Sequence, residues 1–312
     1  MSIIGKFFGA GRFNRAPQRD FRPEDLPETR VKLFFDALRI RWSAMVGLNL
    51  LYLLFWLPAI LWSGINLLSM QQLLVSAAEG TDLTAQLSSL LFTYLLILWP
   101  LVALTGPFTA GVSYVSRNWA RGEHSFVASD FFEHARKNWK QALVVSTITG
   151  ALPLLTYLLW RFYGQLAQDV SWLFFLPELV VFMVVFVWIL MLEVVYMLMV
   201  TYRLTLRQLL GNAARLALGR LPLFVGIRVL TLLLPAVMLI SFLFYTGQST
   251  FLLTVGGFFY MVFGIALNRL LYASLSNAVC EQFINPKIGA PVNIGMRSQT
   301  PPPGEEALDD AC

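Results

Sequence analysis

The chain has 312 residues, of which 57% are hydrophobic and 13% charged, and its mean hydropathy is +0.65. Soluble domains carry roughly 25% charged residues, and half that charge cannot cover a soluble domain of this size, which excludes an ordinary soluble enzyme and makes lipid the main solvent. The net charge of +5 is divided among stretches between apolar segments, a pattern that fits an anionic membrane surface rather than nucleic acid.

Residues 1–42 read as a basic cytoplasmic segment. Met1 to about Pro27 is rich in Arg, Phe and Pro and suits an anionic leaflet or a protein partner. From about Glu28 the apolar residues Val31, Phe34, Phe35, Leu38 and Trp42 recur at spacings of three and four, which predicts an interfacial helix feeding into the first span. The first long apolar run begins only near Ser43, after a charged stretch too long for a signal peptide.

A helix needs about 20 apolar residues to cross a bilayer. Six stretches qualify: 43–67, 87–115, 142–163, 172–201, 221–245 and 251–273. They predict an all-α polytopic membrane protein with a transmembrane domain over 43–274. Pro58, Pro100, Pro107, Pro153 and Pro235 lie inside these spans, where neighbouring helices can satisfy the carbonyls that proline frees. Residues 275–312 read as a cytoplasmic tail ending "SQTPPPGEEALDDAC", a composition that predicts disorder. The two cysteines, Cys280 and Cys312, make neither a disulfide framework nor a metal-binding spacing.

Lys and Arg set the orientation. They crowd before the first span, in the connection with Arg117, Arg121, Arg136, Lys137 and Lys140, in the one with Arg203, Arg207, Arg215 and Arg220, and after the sixth span. Only Arg161 falls on the opposite side. The positive-inside rule then puts both termini in the cytoplasm of a plasma-membrane protein and leaves Glu79, Asp82 and Asp169 outside.

A shift of 82 positions lays the second span, its loop and the third span over the fourth span, its loop and the fifth. Tyr114 then falls on Tyr196, Arg121 on Arg203, Ala135 on Ala217 and Pro153 on Pro235, with no gap. Asp130 falls on Asn212, and both residue types cap helices. The pattern is that of a parallel internal repeat, flanked by the first and sixth spans.

The polar connection "SRNWARGEHSFVASDFFEHARKNWKQ" holds both histidines. Asp130 and Glu133 have capping-box spacing. A helix over 131–141 would put Phe131, Phe132, Ala135 and Trp139 near one side, with His134, Lys137, Lys140 and Gln141 toward the other. Asp130, Phe131, Phe132, Lys137, Trp139 and Lys140 are thus the candidate docking or interfacial surface, with Trp139 at headgroup depth. A metal set of His124, Asp130, Glu133 and His134 is disfavoured, because the adjacent Glu133 and His134 point about 100° apart on a helix. The run "DFFEH" also has Asp where an inverted zincin motif needs His. No phosphate loop, nucleophile elbow or pair of carboxylates at enzyme spacing is present, so no enzyme, cofactor or metal is expected.

Two constellations lie inside the spans. Thr105, Gly106 and Pro107 predict a helix break in the second span, lining a cavity or allowing close packing. Glu193 is the one acid deep in a span, about 15 Å from Arg203 along a helix. Arg228 lies about 10 Å inward from Leu221, and Arg269 lies near the end of the sixth span. Charges at similar depth predict a cluster, either a structural ion pair or a relay.

The stretch "GPFTAGVSYVSRNWARGEHSFVASDFFEHARKNWKQAL", from Gly106 to Leu143, resembles the YesL-like family of polytopic bacterial membrane proteins. The matching elements are Gly-Pro followed by small residues, an Arg-containing helix end, the "RGEH" turn, "DFF" and "KNWKQ"; "FFDALRIRWSAMVGLNLLYLLFWLP" resembles that family's approach to its first span. The resemblance is specific over roughly the first half and only general after about Ala151. Members are mostly of unknown function, and many are encoded in Gram-positive bacteria near carbohydrate ABC transporters and two-component regulators. The resemblance therefore implies a non-enzymatic accessory protein of carbohydrate uptake, with an ABC permease or ATPase and the lipid bilayer as partners. The intramembrane charges support a different expectation, a secondary transporter or channel.

Overall fold

The structure is a computed structural model that describes residues 26–76, 82–244 and 249–297. The basic stretch before Leu26, Glu79, and the proline-rich acidic end with Cys312 lie outside the described residues. Among the described residues there is no strand, and six helices are long and apolar enough to cross a membrane. The chain is an all-α polytopic membrane protein.

Helix α1 (Arg30–Ser76) is two helices joined at Arg41, whose φ of −112° and ψ of 16° leave the helical region. The part before the kink covers the stretch expected to be an interfacial helix. Its apolar residues divide between two faces. Leu33 and Ala37 are buried with Phe34 and Leu38 packed beside them, whereas Val31, Phe35 and Trp42 are exposed.

Helix α2 (Thr84–Trp119) runs unbroken through Pro100 and Pro107. The expected break at Thr105-Gly106-Pro107 does not occur. Pro107 has no N–H for the carbonyl of Ala103, but Ser146 Oγ donates to that oxygen at 2.5 Å. A neighbouring helix thus fills the gap that proline opens. Gly106 makes the approach possible, since a Cβ there would strike Ser146 and the carbonyl oxygen of Ala142.

Helix α3 (Val127–Lys137) starts earlier and ends sooner than the expected 131–141 helix. Asn138, with φ −106° and ψ 9°, separates it from α4 (Trp139–Asp169), so Trp139 opens a span instead of closing an interfacial helix. Asp130 is not the N-cap. It lies in the first turn, and its Oδ2 accepts from Ser125 Oγ at 2.5 Å and from the N–H of Phe126 at 2.9 Å.

The fourth span was expected to be continuous over 172–201. After a short 3-10 turn (Trp172–Phe174) it is two helices, α5 (Phe175–Met191) and α6 (Val195–Thr201). Helix α7 (Leu206–Gly219) begins with a capping box in which Thr205 and Gln208 satisfy each other's backbone N–H groups. Next come α8 (Leu221–Phe244), α9 (Ser249–Phe259), a π-helical turn (Tyr260–Gly264), α10 (Ile265–Phe283) and α11 (Asn285–Ile288). The expected boundary near residue 274 falls inside α10. Residues 284–297 fold back on the bundle. The backbone N–H of Asn293 and the Arg30 guanidinium both bond Glu281, and the N–H of Arg297 reaches the carbonyl of Pro27.

Helix ends recur with the 82-residue period: α2, α6 and α10 end at Trp119, Thr201 and Phe283. Helices α3 and α7 end at Lys137 and Gly219, and α4 and α8 begin at Trp139 and Leu221, with the same spacing. The order of elements is therefore a short helix, a span away from it and a span back, three times over. Burial concentrates where these helices meet, at the basic end of the bundle. There every residue of 195–200 is buried, as are Met45, Leu48, Tyr52, Trp119 and Leu270. The opposite half exposes apolar side chains such as Phe182, Val184 and Phe186, as lipid-facing surfaces do.

Overpacking a close contact costs about 1–3 kcal/mol. Gly106→Leu should therefore lower the unfolding temperature of the detergent-purified protein by several degrees. Gly47→Leu, where nothing lies within 4 Å of the position a Cβ would take, should leave it unchanged.

Candidate functional site

Glu193 sits in the break between α5 and α6, and its side chain is fully buried. No proline or glycine makes the break. The N–H of Glu193 bonds the carbonyl of Leu190 at 3.2 Å and that of Val194 bonds Met191 at 3.1 Å, one residue tighter than an α-helix. The carbonyl of Ile189 is thereby freed, and Arg228 Nη2 donates to it at 2.6 Å. Ser276 Oγ of α10 donates to the carbonyl of Glu193 at 3.2 Å. Arg228 Nε also lies 3.0 Å from Glu193 Oε1, so one guanidinium serves the carboxylate and the broken backbone together. Of the two partners expected for Glu193, Arg228 takes the position and Arg269 does not.

Arg269 is held differently. Its guanidinium lies over the rings of Tyr52, Tyr196 and Tyr272 at 5.8, 5.8 and 5.9 Å, inside the range of cation–π attraction. No carboxylate among the described residues is within ion-pair distance of it. Two chains of donors leave the two arginines. Arg269 Nη2 donates to Tyr52 OH at 3.3 Å, Tyr52 OH lies 2.7 Å from Thr109 Oγ1, and Thr109 donates to the carbonyl of Thr105 at 3.0 Å. Arg228 Nη1 donates to Tyr272 OH at 3.1 Å, and that hydroxyl donates to Thr231 Oγ1 at 2.8 Å. Thr105 thus joins the charge cluster through its carbonyl, whereas Gly106 packs against Ser146 and Ala142 of α4 and Pro107 faces α3.

Tyr52, Tyr196, Tyr272 and Ser276 were not among the sequence candidates. Each is an ordinary aromatic or small residue of an apolar run, and only the fold brings the three rings around one cation. The cluster has one carboxylate for two guanidinium groups and keeps an excess positive charge buried among phenols. Chemically it is a clamp across the first, second, fourth, fifth and sixth spans.

The docking candidates divide. Phe131 is fully buried, stacked near Phe55 and Phe108 at 6.0 and 6.2 Å, with its backbone close against Gly111. It belongs to the core, and its expected place as a surface anchor is overturned. Phe132 and Trp139 are about half exposed, and Lys137 and Lys140 are exposed. An open groove of about 980 Å³ runs between α2 and α3, lined by Pro107, Phe108, Phe132, Ala135 and Trp139, with Glu133, Arg136 and Lys137 also on its walls. His134 stacks on Tyr114 with ring centres 3.3 Å apart, and burial lowers its imidazole below the ordinary value, toward the neutral form. Among the described residues no three His, Cys, Asp or Glu side chains are grouped to hold a metal.

Residues 45–159 match the sequence profile of DUF624, a family described as of unknown function. The similarity covers most of α1, all of α2 and α3 and much of α4. It therefore includes the groove and stops before Glu193. Comparison with curated proteins and with solved structures gave no match.

Removing one partner of a buried ion pair costs about 3–5 kcal/mol. Glu193→Gln should therefore sharply reduce the amount of folded protein recovered from membranes, whereas Asp169→Asn, at an exposed helix end, should not. Equal recovery of the two variants would show that the pair does not hold the fold.

Proposed function

We propose that the protein is a non-enzymatic accessory component of a membrane uptake system, and that it docks its partner through the groove between α2 and α3. The observation that carries this reading is the groove itself. It has an apolar floor, charged walls and two half-exposed aromatic side chains, Phe132 and Trp139, that the fold does not cover. Aromatic anchors in a pocket dominate contact energies, so this surface suits an amphipathic helix of a membrane partner. Its level in the bundle agrees, because Trp139 and the flanking lysines are residue types found where a bilayer meets water.

The positive-inside rule places the basic end, and with it both termini, in the cytoplasm of a plasma-membrane protein. Among the described residues, Arg161 on α4 is the cation left at the other end. The link to carbohydrate ABC transport comes from the resemblance of 106–143 to the YesL-like family. That stretch contributes both walls of the groove, and the DUF624 match also covers it.

A transporter in its own right is the second reading. It is favoured by the interruption of the fourth span at a buried acid, since broken spans line many transport sites. Against it, the Glu193 side chain has no exposed surface and is already committed to Arg228.

A photocrosslinking residue at Phe132 of the full-length protein, in native membranes, discriminates between the two readings. Accessory function predicts recovery of a sugar permease subunit or its ATPase, with the yield reduced about tenfold by Trp139→Ala, a loss of the size expected for one interface anchor. Crosslinks only to lipid or to the protein itself would contradict it and return attention to Glu193.

A further inference from the structure

A second cavity at the basic end lies on another side of the α3–α4 junction, facing residues 199–204. It has a volume of about 590 Å³. Three exposed cations line it, Lys137, Lys140 and Arg203, and no carboxylate does. The first residues of α4 line it as well: Trp139, Lys140 and Gln141. Their backbone N–H groups belong to the uncapped start of a 31-residue helix. Asn138 does not cap them, and its side-chain amide nitrogen donates to the carbonyl of His134 at 3.0 Å. The Gln141 side chain instead donates to the carbonyl of Leu204 at 2.8 Å, which ties the opposite wall to the helix start. Uncapped N–H groups and the positive end of the helix dipole favour an anion.

An independent observation comes from His134. It lines the same cavity and is more than nine-tenths buried, and its Nδ1 has no hydrogen-bond partner among the described residues. A buried polar nitrogen without a partner is costly unless a ligand or water supplies one. The 82-residue period adds a contrast. A related cavity lies between the α7–α8 junction and the end of α10, with Leu216 at the place of His134 and Gly219 at that of Lys137. There Arg220 is already spent on Gln282 at 2.7 Å and on the ring of Phe283. In the first cavity no ion pair among the described residues includes Lys137, Lys140 or Arg203, and Lys140 is engaged only with the ring of its own neighbour Trp139 at 5.7 Å.

We propose that this cavity binds a phosphate-bearing anion, held by Lys137, Lys140, Arg203 and the start of α4. The phosphate can belong to an anionic phospholipid headgroup or to a free phosphate compound, and the two sources are separable. The purified full-length protein is titrated with phosphatidylglycerol or phosphatidylcholine and read by native mass spectrometry. In parallel, inorganic phosphate is added in a thermal-shift series.

The expected result is preferential retention of phosphatidylglycerol, weakened roughly fivefold for each cation removed in Lys140→Gln and Arg203→Gln. The control Arg39→Gln/Arg207→Gln removes two exposed cations outside the cavity and should keep the preference. Lys140→Arg/Arg203→Lys keeps the charge and should keep binding, which separates loss of the site from loss of the fold. Stabilisation by inorganic phosphate, and its competition with the lipid in the parent protein but not in the Gln variants, would support the proposal with a free phosphate as the source. The proposal is overturned if neither ligand shows a preference. It is also overturned if the preference survives in Lys140→Gln/Arg203→Gln or is lost equally in the control pair. Because Lys140 and Arg203 do not line the α2–α3 groove, failure here leaves the docking reading untouched.

Discussion

In hydrocarbon a backbone carbonyl without a partner has no water to turn to, and this constraint organises the bundle. All six spans carry a proline or depart from a regular helix. At three of these places a side chain from a neighbouring helix takes over the bonding. Ser146 serves Ala103 below Pro107, Arg228 serves Ile189 at the break beside Glu193, and Asn49 serves the π-helical turn. Asn49 is the fullest case, because its amide donates to the carbonyls of Tyr260 and Met261 while its oxygen accepts the N–H of Ala266 at 2.9 Å. Each of these bonds also fixes how one helix sits against another. The repair of a local irregularity is therefore the source of tertiary specificity, in a solvent where apolar contact alone distinguishes helices poorly. Ser146 and Arg228 stand 82 positions apart, so the two repeat-related hairpins use the same helical position for the same task with different side chains.

The distribution of charge follows from that arrangement. Arg228 is kept deep because it answers both an acid and a carbonyl. Arg269 is kept deep by three aromatic faces instead of a counterion. At the basic end Arg136, Lys137, Lys140 and Arg203 are exposed, and the groove and cavity flanking α3 are where polar chemistry remains for other molecules. The buried cluster and the surface sites thus divide the work: one closes the bundle, the other presents it.

Much of this was legible in the residues. Apolar runs located all six spans, because a bilayer imposes a length that a soluble core does not, but the first and sixth helices run on to Ser76 and Phe283, nine and ten residues past the expected ends. The rise along a helix put Glu193 and Arg228 at matching depth, and the 82-residue shift anticipated where helices end. What escaped had no local signature. The interruption at residues 192–194 carries neither Pro nor Gly, since partners 35 or more positions further along the chain support it, whereas Pro107 looked like a breaker and is not one. Phe131 resembled its exposed neighbour Phe132, and only the closeness of Gly111 in α2 decides which of the two goes inside. The stretch after Phe283 read as tail because its anchors, Tyr202 and Pro27, lie far back in the chain.

The most direct test of the account is a double-mutant cycle on Glu193→Leu and Arg228→Met, followed by unfolding in detergent. If one guanidinium holds the carboxylate and the broken backbone as a unit, the two changes should be non-additive by about 3 kcal/mol, with the double variant no worse than the less stable single one. Additivity within about 0.5 kcal/mol would mean that the two residues act independently, and the clamp across the fourth and fifth spans would have to be abandoned.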